Sequence, residues 1–180
     1  MPEPKANPVV ERLRWYWQME AGNALLVPAA TAGLVLWAGD TLDLAFGIAV
    51  IACAALLVIG ALYWRAALRK IEGDPKPLAF WLPRLAWLEA PSIALVAAAM
   101  VALLVDVLIF NGGWGPTNIA TAVLTLLAAL EYVNYYKVQL QHFDHAADMQ
   151  RLLLGRGFRK AHMARDIAAW RARNAANTRS

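Results

Sequence analysis

The chain of 180 residues is 60% hydrophobic, with a mean hydropathy of +0.44 and a formal net charge of +4. That apolar excess exceeds what a soluble domain of ordinary composition carries, and a single cysteine, Cys53, rules out a disulfide framework, zinc-finger spacing or a redox pair. All 17 Lys and Arg residues fall in three segments, the two ends and a central loop, and none lies in the two short connections that alternate with them. This is the positive-inside pattern of a polytopic membrane protein, because basic side chains beside a span resist translocation.

In chain order, residues 1–20 read as a cytoplasmic N-terminal tail of neutral net charge, with Lys5, Arg12 and Arg14 balanced by three glutamates. Its polar length does not fit a cleaved signal peptide, so the first apolar stretch is expected to stay as an anchor. Four stretches are long enough to cross about 30 Å of hydrocarbon at 1.5 Å per helical residue. They run from Ala21 to Gly39, Leu44 to Trp64, Leu85 to Phe110 and Thr117 to Tyr136. A lone span must satisfy its own backbone hydrogen bonds, so each is a helix. Pro28 is expected to kink the first, whereas Pro91 falls near a helix start, where a missing N–H costs little.

The connections Asp40 to Asp43 and Asn111 to Pro116 are tight, turn-rich links that join antiparallel neighbours. The expected fold is therefore all-α: a transmembrane domain over residues 21–136, built from four helices as two antiparallel hairpins. The linker Arg65 to Arg84 carries a turn at Gly73 to Pro77, with a surface helix expected on either side. Small residues with period four, Ala45, Ala49 and Cys53, then Ala90, Ala94, Ala98 and Ala102, then Thr121, Thr125 and Ala129, are expected to form the helix contacts. Aromatic residues at the basic ends, Trp15 to Trp17, Tyr63 and Trp64, and Tyr132, Tyr135 and Tyr136, read as interfacial anchors. A parallel internal repeat is weakly visible in Arg14, Trp17 and Glu20 against Arg84, Trp87 and Glu89.

Ionisable residues inside spans are costly and point to function by default. Glu131 is the deepest, five residues or about 8 Å from the end of its span. Glu131, Asn134, Tyr135, Val138, His142 and His145 share one face if the last helix continues past the membrane. Glu20 with Asn23 and Glu89 with Ser92 form polar pairs at a similar level. Glu20, Asn23, Glu89, Glu131, Asn134, Tyr135 and His142 are thus expected to make a polar cluster open to the cytoplasm, either structural or ligand-binding. The run His142, Asp144, His145 and Asp148 does not converge on one ion from a single helix, so no metal site is expected, and no sequence motif calls for a cofactor or assigns a catalytic residue.

The basic cytoplasmic tail, residues 137–180, has nine basic and three acidic residues. Arg156, Arg159, Lys160 and Arg165 are expected to meet anionic lipid headgroups, at about 1 kcal/mol per basic residue near the surface. Nucleic acid is the weaker partner because no groove-reading or stacking motif accompanies the charge. Met163, Ile167 and Trp170 make an apolar stripe suited to the membrane surface or to a partner.

The segment Leu130 to Leu140, with Glu131, Tyr132, Val133, Asn134, Tyr135 and Tyr136 at its centre, resembles a motif of small bacterial integral-membrane proteins. The resemblance covers about a dozen residues, implies a bacterial inner-membrane location, draws attention to Glu131 and Asn134, and brings no activity. The residues leave three classes open. The first is a scaffold, a partner subunit or homo-oligomer, or a ligand-binding module. The second is a membrane enzyme or carrier for a lipid or quinone-like molecule, and the third a small-solute transporter.

Overall fold

The computed structural model describes residues 8–110, 113–140 and 158–177. Helix α1 spans Pro8–Trp37, α2 Leu44–Ile71, α3 Lys76–Trp87, α4 Glu89–Val105, α5 Pro116–Tyr136 and α6 His162–Asn177; a π-type turn, Asp106–Phe110, extends α4. The protein is all-α, and α1, α2, α4 with its π turn, and α5 are long and apolar enough to cross a membrane. Large apolar side chains on their outer faces, among them Leu25, Leu34, Ile51, Val101, Leu104 and Leu126, are exposed on the isolated chain. A surface of that extent demands a cover, which for helices of this length is the bilayer of a multi-pass membrane protein.

Helix α2 is the centre of the bundle, touching α1, α3, α4 and α5. The short connections make α1–α2 and α4–α5 the two hairpins, with the described residues of all three basic segments at one end of the bundle. The hairpin turns close at the other end. After α1, Gly39 takes φ 78°, the left-handed conformation a glycine allows without a Cβ clash, and Asp40 N donates back to Val35 O at 3.2 Å. Asp43 caps α2 by accepting from Phe46 N at 2.7 Å. Asp40 caps α5 from across the bundle, accepting from Thr117 N at 3.1 Å, while the Thr117 hydroxyl donates to Thr41 O at 2.8 Å. The two turns are thereby tied to each other.

Several boundaries differ from the sequence reading for identifiable reasons. α1 begins at Pro8, so residues 8–20 continue the first span as helix, and α2 runs seven residues past Trp64 to Ile71. At about 45 and 42 Å these two helices project beyond the hydrocarbon at the basic end. The third span starts at Glu89, four residues later than expected, and a separate amphipathic α3 precedes it. Pro91 is the cause: it has no N–H to give Trp87 O and its ring clashes with that carbonyl, so the helix breaks at Leu88. Pro28 does not interrupt α1, and the Thr31 hydroxyl donates to Val27 O and Pro28 O one turn away.

The small-residue faces divide. Ala45, Ala49, Cys53, Thr121 and Thr125 are buried between α2 and its neighbours as expected. On α4 the buried face is Ser92, Val96, Ala99 and Leu103, and the Ala90, Ala94 and Ala98 stripe points outward. Val96 and Leu103 fill the groove against α2 and α5, while the small Ser92 and Ala99 on the same face let the helices approach closely.

The last helix does not extend into the aqueous phase. α5 stops at Tyr136, Lys137 leaves helical geometry at φ −123°, ψ −80°, and Val138 forms an antiparallel bridge with Lys160. That bridge, with Gln139 N donating to Arg159 O at 2.8 Å and Ala161 N to Lys137 O at 3.1 Å, folds α6 back onto the bundle. The Met163, Ile167 and Trp170 stripe is accordingly spent inside the molecule, with Met163 and Ile167 buried and Trp170 packed against the core. The expectation that it faces the membrane surface or a partner is overturned.

Candidate functional site

The expected cluster separates into two groups. Glu89 belongs to the first, on the surface of the basic end: Lys137 Nζ lies 2.9 Å from Oε1 and Arg171 Nη2 3.2 Å from Oε2. Beside it, the Tyr136 hydroxyl donates to Leu85 O at 2.9 Å. The hydrogen bond and charge of Glu89 raise the pKa of the Lys137 ammonium. These contacts pin α6 and the end of α5 to the start of α4, which is structural work. Glu89 is therefore not part of a shared polar cluster with Glu20 and Glu131.

The second group lies within the bundle, where α1, α2 and α5 meet. Glu20 of α1 is 7% exposed and Tyr135 of α5 is 1% exposed. The tyrosine hydroxyl donates to Glu20 Oε1 at 2.6 Å, a short bond of the charge-assisted kind. Tyr135 can reach across only because α2 presents Gly60 along the way: a Cβ at that position would collide with the Tyr135 hydroxyl and its Cζ. Gly60 is thus a working part of the site. Sequence reasoning missed it, although it falls seven residues after Cys53, on the small-residue face already read from Ala45, Ala49 and Cys53.

Glu131, one turn before Tyr135, completes this group. Tyr135 and Asn134 neighbour its carboxylate, and it interacts electrostatically with Glu20 and with the buried Cys53. Its Oε2 is buried and has no hydrogen-bond partner among the described residues. Among the described residues no basic side chain pairs with Glu20 or Glu131: Arg14 goes to Glu72 at 3.4 Å, and Arg84 stacks over the Phe80 ring and donates to Phe80 O. Two carboxylates and one phenol therefore share a niche with no basic side chain paired to either carboxylate among the described residues.

The remaining expected members are placed as follows. Asn134 is buried, and its Oδ1 accepts from Leu140 N at 2.9 Å, so it also anchors the chain that leaves α5. Asn23 is half-buried within α1. The expectation for His142 rested on α5 continuing, which it does not; His142, Asp144, His145, Asp148 and Arg156 lie outside the described residues. Arg159, Lys160 and Arg165 are exposed at the basic end. No group of three His, Cys, Asp or Glu among the described residues is placed to hold a metal ion.

At the opposite end Asp40, Asp43 and Asp106 border a cavity of about 500 Å³. Thr117 N, with Thr41 N, keeps the Asp40 carboxyl below its ordinary range, since both bonds favour the charged form. Asp40 and Asp43 are occupied with capping, so this end reads as a structural clasp. Comparison of the chain with protein-family models, with curated proteins and with solved structures finds no match.

Proposed function

We propose that the chain is a bacterial inner-membrane protein with both ends and the α2–α3 turn in the cytoplasm, and that its Glu20–Tyr135–Glu131 niche is a ligand-binding site for one small cation. The occupant is a proton in the absence of competing ions, with a monovalent metal ion as the second candidate. The observation that carries this reading is the pair of carboxylates within the bundle, linked through one phenol and lacking any basic partner among the described residues. Like charges in a low-dielectric setting repel strongly, and among the described residues no basic side chain pairs with either carboxylate to offset the other. A shared proton or a bound cation removes that repulsion, and the phenol, a donor to one carboxylate and neighbour of the other, is the group through which the two communicate.

The orientation rests on the distribution of the 17 basic residues. The cytoplasmic face so defined carries Arg159, Lys160 and Arg165 toward anionic headgroups. The site reading is tested by thermal melts of the purified protein at rising pH, with and without Na⁺ or K⁺. Melting temperature should fall as base removes the compensating proton and recover on adding the ion that replaces it. The double variant Glu20→Gln, Glu131→Gln should lose both responses. If wild type and double variant respond alike, the niche is only a structural contact.

A further inference from the structure

A second cavity, of about 490 Å³, opens at the basic end between the start of α1, the last turns of α2 and the chain entering α6. Its size is that of an ordinary small-molecule site. With Leu44 at one face of the hydrocarbon, about 30 Å of helix brings α2 to Trp64, and Lys70 stands about 9 Å further on. The cavity, lined by both, therefore straddles the boundary between acyl chains and headgroups.

Its chemistry is divided in the same direction. Three basic side chains, Arg12, Lys70 and Arg159, line it against one carboxylate, Asp166, and that carboxylate is engaged with the Tyr63 hydroxyl at 2.9 Å. The buried Leu13 and Leu78 form an apolar floor, and the exposed Val9 and Ile71 an apolar lip. Trp64, held against Tyr16 and Tyr63 with ring centroids 5.7 and 5.0 Å away, leaves its buried indole N–H without an acceptor among the described residues. A positive rim over an apolar floor at headgroup depth matches a molecule that is anionic at one end and hydrocarbon at the other.

We propose that this cavity is a binding site for the headgroup of an anionic phospholipid, its phosphate among Lys70, Arg12 and Arg159 and its first methylenes against Leu13 and Leu78. This differs from loose attraction of a basic surface to the membrane, because it predicts one saturable site with a shape. It is also independent of the Glu20–Glu131 niche, whose residues do not line it. Arg12 and Arg159 have further partners of their own, so the test turns on Lys70.

The full-length protein in a neutral detergent is titrated with dioctanoyl phosphatidylglycerol, with dioctanoyl phosphatidylcholine and with inorganic phosphate, and adducts are counted by native mass spectrometry. Phosphatidylglycerol should occupy one site about tenfold more tightly than phosphatidylcholine, and phosphate in millimolar excess should not displace it. Lys70→Glu should lower phosphatidylglycerol affinity about tenfold, toward the phosphatidylcholine value, while Arg173→Glu, at an exposed position of α6, leaves it unchanged. Ala67→Trp, which fills the cavity, should abolish binding of both lipids; Lys70→Gln, a milder change at an exposed position, serves if either variant fails to insert. Equal affinity for the two lipids, undiminished binding in the Lys70 and Ala67 variants, or displacement by phosphate alone would overturn the proposal, the last by reassigning the cavity to a free anion.

Discussion

Replacing Gly60 by alanine is the smallest change that should open the Glu20–Tyr135 contact. The new methyl would overlap the Tyr135 hydroxyl and Cζ, and the ring, 1% exposed, has no free space to swing into. Losing a hydrogen bond to a carboxylate costs about 1.5–3 kcal/mol, and overpacking a close-packed site a further 1–3 kcal/mol or so. Against this stands the helix preference for Ala over Gly, up to about 1 kcal/mol. The net loss is then about 2–5 kcal/mol, read as a lower unfolding midpoint by circular dichroism in detergent. Gly47→Ala on the same helix, where a Cβ meets nothing within 4 Å, is the control and should be neutral or slightly stabilising. Tyr135→Phe alone should lose only the hydrogen-bond part. Combined with Gly60→Ala it should fall short of the sum of the two single losses, because the same contact is broken once. If Gly60→Ala melts with Gly47→Ala, the close approach of Tyr135 to α2 is not a feature of the protein in its membrane.

Three further outcomes follow from the same geometry. Because the carboxyl pKa of Asp40 is lower in the folded than in the unfolded chain, its contribution to stability is present above the unfolded value and lost as pH falls through the folded one; melts from pH about 6 to about 3 should show a steeper acid loss in wild type than in Asp40→Asn. Ile167→Asp, by charging a side chain 3% exposed, should release α6, since the exposed ion pairs at Glu89 are worth only about 0–1 kcal/mol each; amide exchange should accelerate over His162–Asn177 and not in the spans, and unchanged exchange would count against the docked helix. Reporters inserted at Gly73 and Gly113 should read cytoplasm and periplasm respectively, and the reverse result would invert the proposed orientation.

The four spans and their pairing were legible in the sequence because apolar length and basic flanks are local properties, set by the bilayer and not by the partner helix. What stayed hidden depended on contacts between distant residues. The late start of the third span required recognising that Pro91 breaks the turn before it, not only that a proline is tolerated after it. The burial of Ser92, Val96, Ala99 and Leu103 in place of the alanine stripe was set by the shape of the groove on α2 and α5. Folding α6 back depends on a two-stranded bridge between Val138 and Lys160, residues 22 apart, which no periodicity announces. At the site, Glu20 and Glu131 were found as costly groups at similar depth and Tyr135 through the helical face it shares with Glu131, but only the crossing of three helices separates them from Glu89 and adds Gly60. Extending the Ala45, Ala49, Cys53 face by two turns would have reached that glycine.

The central claim, one compensating cation for two carboxylates, is open to infrared spectroscopy of the full chain in lipid nanodiscs at neutral pH, with and without Na⁺ or K⁺. A single protonated-carboxyl band is expected in sodium- and potassium-free buffer, missing from the Glu20→Gln, Glu131→Gln double variant and shrinking if a monovalent ion takes the place of the proton. A band unchanged in the double variant, or its absence from the wild type together with no stabilising effect of either ion, would contradict it.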